Sequence, residues 1–309
     1  MTTVGSGVYT YGIVEDWARL PQGWTMGQAE PATDSEDRVY VFNRSEHPLM
    51  VFDREGNFIS EWGQGVLTDA HGIYISPDDY IYLPVRDAHA VVKYTLDGRP
   101  LLTLGMWDKP SDTGGARPDG TVRRAAGPFN RCTDLGISPA GDLYISDGYA
   151  NCRVHKFSPE GRYLFSWGKP GKNAPGEFHI PHGIWVHWDG RVLVADRENN
   201  RIQIFTPDGN YMTQWTGLAR PCDIFIDANE IVYVVELDAF MTILDMNGRV
   251  LAKIDAGTGH GGHAVWGDSH GDLYIGHNME SKRLLKLVRR SQQSQEQPRA
   301  PGVYVREGV

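Results

Sequence analysis

One pattern of strands and turns recurs along nearly the whole chain, and this repetition constrains the fold more than any other feature. Each copy contains an apolar alternating strand, a Gly/Asp turn, a second strand, a charged loop and a third strand. The copies begin at these positions: His71, Thr133 and His182 for the clearest three, Cys222 and Gly262 for two weaker ones, and Arg38–Gly56 for a reduced first copy. Internal repeats of this kind decide the fold class before any single element does.

Equivalent positions in the later copies lie at residues 71, 134, 182, 223 and 263, so the successive spacings are 63, 48, 41 and 40 residues. A period near 40 residues with four short strands per unit is typical of a β-propeller. Turns such as Pro207-Asp208-Gly209 have hairpin chemistry, and no stretch has a sustained helical period. We therefore predict an all-β, six-bladed β-propeller that forms a single domain over residues 1–290.

The last copy supplies only three strands. We predict that the segment Tyr9–Trp17, which precedes the first copy, adds the missing outer strand of the last blade and closes the ring. The polar residues 291–309 have a composition typical of disorder, so we expect a disordered or extended tail. The widest spacing contains an insertion, roughly Met106–Pro128, and a loop of that length in a compact domain is usually functional or mobile.

The net charge of -9 excludes a nucleic-acid surface, because such a surface needs a basic stripe. No apolar run approaches the ~18 residues of a membrane span. The first residues lack the basic and apolar regions of a signal peptide, so we expect a cytoplasmic protein. The three cysteines are too few for a disulfide framework.

Histidines occupy one position of the repeat in alternate blades. A slot near the start of each first strand holds His71, Asp134, His182, Asp223 and His263 in blades two to six, and Ala29 or Glu30 in blade one. The innermost strands of a propeller line its channel, and three converging imidazoles are typical of a catalytic zinc site with an open position. We predict a metal site on His71, His182 and His263, for zinc or another divalent transition metal. The alternative is that the slot only caps the strands.

A second slot, just after each second strand, is rich in arginine. It holds Arg44, Arg86, Gly148, Arg197, Leu237 and Asn278 in blades one to six. Because a guanidinium matches a carboxylate, Arg44, Arg86 and Arg197 are predicted to bind a small carboxylated substrate. The preceding slot contains Asp147, Asp196 and Glu236, so pairing of the arginines with acids of the scaffold is the competing interpretation.

Tyr149 follows the second slot in blade three and is expected at the mouth of the channel. A neighbouring cation favours the phenolate, which would let Tyr149 act as a general base.

The stretches SDGYANCRVHKFSPEG, IPHGIWVHWDGRVLVADRENNRIQIF and VFNRSEHPLMVFD resemble NHL-type propellers, and more narrowly the peptidyl-α-hydroxyglycine α-amidating lyase domain. The resemblance spans Val39–Leu287. It implies a catalytic zinc on His71, His182 and His263, the histidines that the repeat slot also selects. It further implies that Arg44 binds a carboxylate, that Tyr149 accepts a proton and that Arg197 lines the site; these three are the expected catalytic residues. The implied reaction cleaves the C–N bond of an α-hydroxyglycine to give an amide and glyoxylate.

Several positions depart from the family pattern. Ala264 stands where the family has an aspartate that helps to hold a structural calcium, so calcium is not carried over. Gly261 replaces a methionine, which opens the pocket. The family's disulfide ends directly after the tyrosine, where this chain has Ala150. Cys132 and Cys152 are each displaced by two residues, and both a relocated disulfide and two free thiols stay open.

The sequence therefore favours a metal-dependent lyase that cleaves a C–N or related bond of a small carboxylated α-hydroxy substrate. A metal-dependent hydrolase of the lactonase kind is the second interpretation, although such sites prefer carboxylate ligands on a hard cation. A non-catalytic NHL interaction module is the third, and it predicts no bound metal. Substrate identity and oligomeric state do not follow from the sequence.

Overall fold

The computed structural model describes residues 2–256, 261–277 and 284–290, and within them the regular structure is β-strand apart from one 3-10 turn at Arg197–Asn199. The chain begins with a hairpin of β1 (Thr3–Ser6) and β2 (Tyr9–Val14). Six antiparallel sheets, the blades, then follow in chain order. Blade 1 consists of β3 (Ala29–Thr33), β4 (Val39–Asn43), β5 (Leu49–Phe52) and β6 (Phe58–Trp62). Blade 2 consists of β7 (Tyr74–Ile75), β8 (Tyr80–Val85), β9 (Ala90–Thr95) and β10 (Pro100–Gly105). Blade 3 consists of β11 (Cys132–Ile137), β12 (Leu143–Asp147), β13 (Arg153–Phe157) and β14 (Tyr163–Trp167).

A short parallel pair separates the two halves of the chain and is made by β15 (Lys169–Pro170) and β16 (Glu177–Phe178). Blade 4 consists of β17 (Pro181–Val186), β18 (Val192–Asp196), β19 (Arg201–Phe205) and β20 (Tyr211–Thr216). Blade 5 consists of β21 (Pro221–Ile226), β22 (Val232–Glu236), β23 (Met241–Leu244) and β24 (Val250–Ile254). Blade 6 contains β25 (Gly262–Gly267), β26 (Leu273–His277) and β27 (Leu284–Arg289). The prediction of an all-β, six-bladed propeller is confirmed.

The N-terminal hairpin completes blade 6. Strand β2 pairs with β27 in the register Tyr11↔Arg289 and Ile13↔Leu287, and β1 adds a fifth strand outside it. The first strands of blades 6 and 1, β25 and β3, are also in contact. The two ends of the ring are thus joined by strand pairing and by packing, as the incomplete last repeat predicts.

Burial follows the position of each strand within its blade. The second strands β4, β12, β18, β22 and β26 are buried along their whole length because the neighbouring blades cover both faces. The outermost strands β6, β10, β14, β20 and β24 are largely exposed. This gradient explains why runs such as Val192–Asp196 are apolar almost throughout, since a strand covered on two faces loses the alternation of a half-buried one.

Cys132, Cys152 and Cys222 are all buried and free, so the relocated disulfide that the sequence left open is not formed. Residues 291–309, for which a tail is predicted, and Asn278 of the second slot lie outside the described residues. In the part of the chain that the structure describes, no helix is long and apolar enough to cross a bilayer.

Replacing Tyr11 with alanine tests the closure of the ring. Tyr11 is fully buried in β2, and its hydroxyl lies 3.4 Å from that of Tyr233 in blade 5. Loss of a buried aromatic side chain should lower the free energy of unfolding by about 3–5 kcal/mol, measured by denaturant titration. The control is Val8→Ala in the same hairpin, where the side chain is 53% exposed and the expected change is below about 0.5 kcal/mol. Equal effects of the two substitutions would contradict closure by β2.

Candidate metal centre and active site

The three histidines predicted as metal ligands meet in the channel. His71, His182 and His263 are each at most 4% exposed, and their ring centroids lie 4.7–5.3 Å apart. One nitrogen of each imidazole lies within 4.8 Å of the others. Among the described residues, this is the one group of three or more histidine, cysteine or acidic side chains whose ligand atoms converge in this way.

A hydrogen bond across a blade boundary orients two of the imidazoles. The Nδ1 atom of His71 donates to the carbonyl of Thr133 in blade 3, and that of His182 donates to the carbonyl of Cys222 in blade 5, each at 2.8 Å. Each Nδ1 therefore carries the ring proton, and each Nε2 keeps a lone pair for a metal ion.

The glycine after each of these histidines makes that hydrogen bond possible. A Cβ atom at Gly72 would lie 2.7 Å from the Thr133 carbonyl oxygen, and one at Gly183 would lie 2.6 Å from that of Cys222. Because any side chain would push the neighbouring strand away, the His-Gly pair lets the orienting carbonyl approach the imidazole. The glycine of each His-Gly pair, at 71–72 and 182–183, therefore has a structural role at the site.

His263 is oriented differently. Its Nδ1 lies 3.0 Å from a carboxylate oxygen of Glu30, and the side-chain amide of Gln28 lies 3.1 Å from Nδ1 and 3.0 Å from Nε2. Ala264, not glycine, follows this histidine. Glu30 thus occupies the blade-one position of the histidine slot, for which the sequence offered either Ala29 or Glu30. A carboxylate paired with a histidine raises the basicity of that histidine as a metal ligand.

The electrostatic environment keeps His71 and His182 neutral. Burial lowers the pKa of both well below the ordinary value, and electrostatic interactions with neighbouring groups lower it further, with His263 and Arg44 for His71 and with Arg197 for His182. Neutral imidazole is the form that binds a metal, and three such nitrogens suit zinc and other borderline divalent ions. The donor set therefore fits a metal ion.

Tyr149 reaches the open side of the three histidines. Its hydroxyl oxygen lies 3.1 Å from Nε2 of His71 and 3.2 Å from Nε2 of His182. Arg197 donates to the same oxygen from Nη1 at 3.2 Å. Arg86 and Arg197 each place a guanidinium carbon 5.2–5.3 Å from the centre of the Tyr149 ring. The structure thus brings the predicted tyrosine into contact with two of the predicted ligands and two of the predicted arginines.

The remaining arginine shares an acid with its neighbour. Arg44 and Arg86 both bind Asp69, Arg44 through Nε at 3.1 Å, and Arg86 also binds Asp87. Burial raises the pKa of Asp69, whereas hydrogen bonds from its surroundings hold that of Asp87 at about 2 despite partial burial. Arg197 pairs with Glu198 through Nε at 2.9 Å.

The arginines of the second slot pair with acids of the scaffold, as the competing interpretation expects, but not with the acids of the preceding slot. The side chain of Asp147 accepts the backbone N–H of Asn130, that of Asp196 accepts the N–H of His179, and that of Glu236 accepts the N–H of Ala219. Each fixes the loop that enters its own blade. The arginines pair with acids of the adjoining loops instead.

Carboxylates of the alternate blades line the same channel. Asp134 accepts the backbone N–H of Ile184, and Asp223 accepts that of Val265, each at 2.9 Å. These N–H groups lie two residues after His182 and His263. The two aspartates therefore hold the strands that carry these histidines.

Aromatic rings close the channel on the far side of the histidines. Tyr74, Trp185 and Trp266 each lie three residues after a histidine of the site, and their ring centroids are 5.4–6.2 Å apart. The cavity between them and the histidines has a volume of only about 20 Å³. Access to the histidines is therefore from the side of Tyr149.

Sequence analysis missed Gln28, Asp69 and this aromatic set. In the sequence, these aromatic residues share a constant spacing of three residues after each histidine. Strand alternation alone would place a side chain at that spacing on the face opposite the histidine. In blades 4 and 6 the ladder shifts register between Pro181 and Ile184 and between Gly262 and Ala264. Such a bulge inserts one residue and reverses the alternation.

The histidine site predicts metal content. His182→Ala removes one of three ligands, so metal retained by chain purified without added metal should fall from about one ion to a small fraction, measured by elemental analysis. His270→Ala is the matched control, because this histidine is 58% exposed and pairs with Asp37 outside the channel. An unchanged metal content in His182→Ala would contradict the site.

Asp134 predicts a pH dependence of stability. Burial raises its pKa to about 7 from an ordinary 3.8, and the charge of Glu30 adds to the effect. Between roughly pH 4 and 7 the folded chain keeps a proton that the unfolded chain has lost, so this carboxyl destabilises the fold as the pH rises. In chelator-treated protein, the stability of the wild type relative to Asp134→Asn should fall through this range and then level off. Urea titrations across it measure the difference, and a pH-independent difference would contradict the assignment.

Comparison with known proteins gives sequence relatives of two kinds, amidating enzymes and a protein named for its NHL repeats. A model of the NHL repeat matches residues 178–205. Peptidyl-glycine alpha-amidating monooxygenase B of Xenopus laevis is 31% identical over 56% of this chain and 20% of its own length. Peptidyl-alpha-hydroxyglycine alpha-amidating lyase 1 of Drosophila melanogaster is 30% identical over 66% of this chain and 38% of its own length. NHL repeat-containing protein 3 of Homo sapiens is 31% identical over 66% of this chain and 59% of its own length.

The chain spans about a fifth of the length of the monooxygenases that it matches. Among solved structures, a streptogramin B lyase superimposes with a TM-score of 0.64 at 14% identity, covering 90% of this chain and 97% of that one. At that identity the likeness concerns the fold alone. The chain is a six-bladed β-propeller that contains a match to the NHL repeat and is related in sequence to the peptidyl-α-hydroxyglycine α-amidating lyases.

Proposed function

We propose that this chain is a zinc-dependent lyase that breaks the C–N bond of a small N-acyl-α-hydroxyglycine and releases an amide and glyoxylate. One observation carries the proposal: the Tyr149 hydroxyl lies within hydrogen-bond distance of both His71 and His182 and receives a hydrogen bond from Arg197. A proton acceptor thus lies directly beside the nitrogen atoms that would bind the metal ion, on the accessible side of the three histidines. The lyase named among the relatives supports the same reaction class.

The side chains of the site have separable tasks. Zinc on the three imidazoles would supply Lewis-acid activation of a substrate oxygen. Arg197 donates a hydrogen bond to the Tyr149 oxygen and so orients the atom that would accept the proton of the substrate's α-hydroxyl group. As that O–H bond breaks, a C=O bond forms at the α-carbon. The C–N bond breaks in the same step, its electron pair stays on the amide nitrogen, and this nitrogen takes up the proton that Tyr149 has accepted.

The substrate carboxylate would bind on the arginine side of Tyr149. Arg44 and Arg86 share Asp69, which holds both guanidiniums at the same end of the channel as Tyr149. Arg44 also lies close enough to lower the pKa of His71. A carboxylate placed there would be oriented by charge, with the α-carbon next to the histidines and the tyrosine.

The alternatives have less support. A lactonase-type site uses carboxylate oxygens on a hard cation, but Asp134 and Asp223 direct theirs to backbone N–H groups. A non-catalytic interaction module is consistent with the relative named only for its NHL repeats. That interpretation predicts no bound metal and no turnover, so the measurements on His182 and Tyr149 separate it from the lyase.

Turnover of α-hydroxyhippurate tests the proposal. The zinc-loaded chain should convert it to benzamide and glyoxylate, with glyoxylate measured by a coupled assay. Tyr149→Phe removes the proton acceptor and should lower kcat by about 10²- to 10⁴-fold. Tyr163→Phe, at a tyrosine 45% exposed on an outer strand, should retain full activity. No glyoxylate from the wild type, or equal rates in the two variants, would refute the mechanism.

A further inference from the structure

A second, larger cavity adjoins Tyr149. Its volume is about 380 Å³, within the range of about 300–1,000 Å³ that small-molecule sites occupy. Its walls are Pro110–Ala116, Val122, Asn130, Tyr149 and Ala150. Most of this wall belongs to the insertion Met106–Pro128, which accounts for the widest spacing between repeats. The insertion therefore faces the candidate active site.

The insertion is tied together by its own hydrogen bonds. The backbone N–H groups of Arg123 and Arg124 donate to the carbonyls of Gly115 and Thr113, and Arg117 donates to Thr121. The Asn130 side chain donates to the Ser111 carbonyl at 2.8 Å, which joins the two ends of the insertion. These hydrogen bonds link the segments of the insertion that form the cavity wall.

The insertion is also fastened to the loop that carries Tyr149. The Asn151 side chain accepts the N–H of Ala126 and donates to the Ala126 carbonyl, and the N–H of Ala150 donates to the Asn130 carbonyl. Asp147 accepts both the Asn130 N–H and the Asn151 amide. The cavity wall and the proposed proton acceptor thus have a fixed relative position.

The chemistry of the cavity differs from that of the arginine side. Its lining contains no basic side chain, and its one acid, Asp112, pairs with Arg124. Small and neutral groups make up the rest. Tyr149 belongs to both regions, because it lines this cavity and also contacts the histidines and the arginines.

We propose that the cavity-lining part of the insertion, Pro110–Ala116 and Val122, forms the acyl subsite of the proposed lyase and selects substrates with a compact, uncharged N-acyl group. The inference rests on the proposed function for its substrate class. A bound N-acyl-α-hydroxyglycine directs its carboxylate to the arginines and its acyl group into the 380 Å³ cavity. The far side of the histidines cannot take this group, because the channel there holds only about 20 Å³.

Filling the cavity from either wall tests the proposal. Ala116→Trp fills it from the insertion and Ala150→Trp from the opposite wall. Both should lower kcat/KM for N-benzoyl-α-hydroxyglycine by about 10- to 100-fold while changing that for the N-acetyl analogue by less than about threefold. Met106→Trp is the matched control, because it adds the same bulk to the insertion at a site 62% exposed and outside the cavity lining. It should leave both values unchanged.

Binding of hippurate, which lacks the reacting hydroxyl group, separates this inference from the proposed reaction. Calorimetry should show hippurate binding to the wild type and to Met106→Trp, with at least about tenfold weaker binding to the two filled variants. That pattern without any turnover would refute the lyase and retain the acyl subsite. Equal hippurate affinity in the filled variants and the wild type, or no binding to the wild type, would overturn the subsite whatever the turnover.

Discussion

The candidate site depends on hydrogen bonds that cross from one blade to the next. The imidazoles of His71 and His182 are oriented by carbonyls of the following blades, and the glycines after them allow those carbonyls to approach. Closure of the ring is therefore a condition for the site, because each ligand is positioned by a neighbour as well as by its own strand. The N-terminal strand β2, which closes the ring, therefore affects the geometry of the histidine site although it lies on the outer side of blade 6.

The charge distribution around the channel axis separates two environments. In the buried part, the low pKa values of His71 and His182 and the raised pKa of Asp134 keep formal charge low. At the Tyr149 end, the guanidiniums of Arg44, Arg86 and Arg197 lie beside acids of the adjoining loops, which compensate their positive charge although Arg197 is buried. A carboxylated substrate would meet cations at the mouth and neutral metal ligands beyond them, which favours binding without protonating the ligands.

The two ends of the site also differ in access. The aromatic set Tyr74, Trp185 and Trp266 closes one side, and the insertion Met106–Pro128 builds a cavity on the other. The propeller itself has near six-fold repetition, so its symmetry does not provide this polarity. Three aromatic residues of the inner strands and one insertion between blades provide it instead.

Sequence by itself determined the six blades, the closing strand and the convergence of the three histidines. Each of these follows from a repeat period and from the rule that equivalent positions in a ring face the axis. It also selected Tyr149 and the arginines, because residues at one slot emerge at one end of the channel. Tertiary structure decided the rest: that Glu30 and Gln28 contact His263, that Asp69 joins Arg44 to Arg86, and that the acids after the second strands bind loop backbone. These are contacts between blades or loops distant in sequence, and no period within one repeat encodes them. The sequence also could not predict that the aromatic residues close the channel. The bulges in blades 4 and 6 each insert one residue, and this reverses the alternation from which the face of a side chain is predicted.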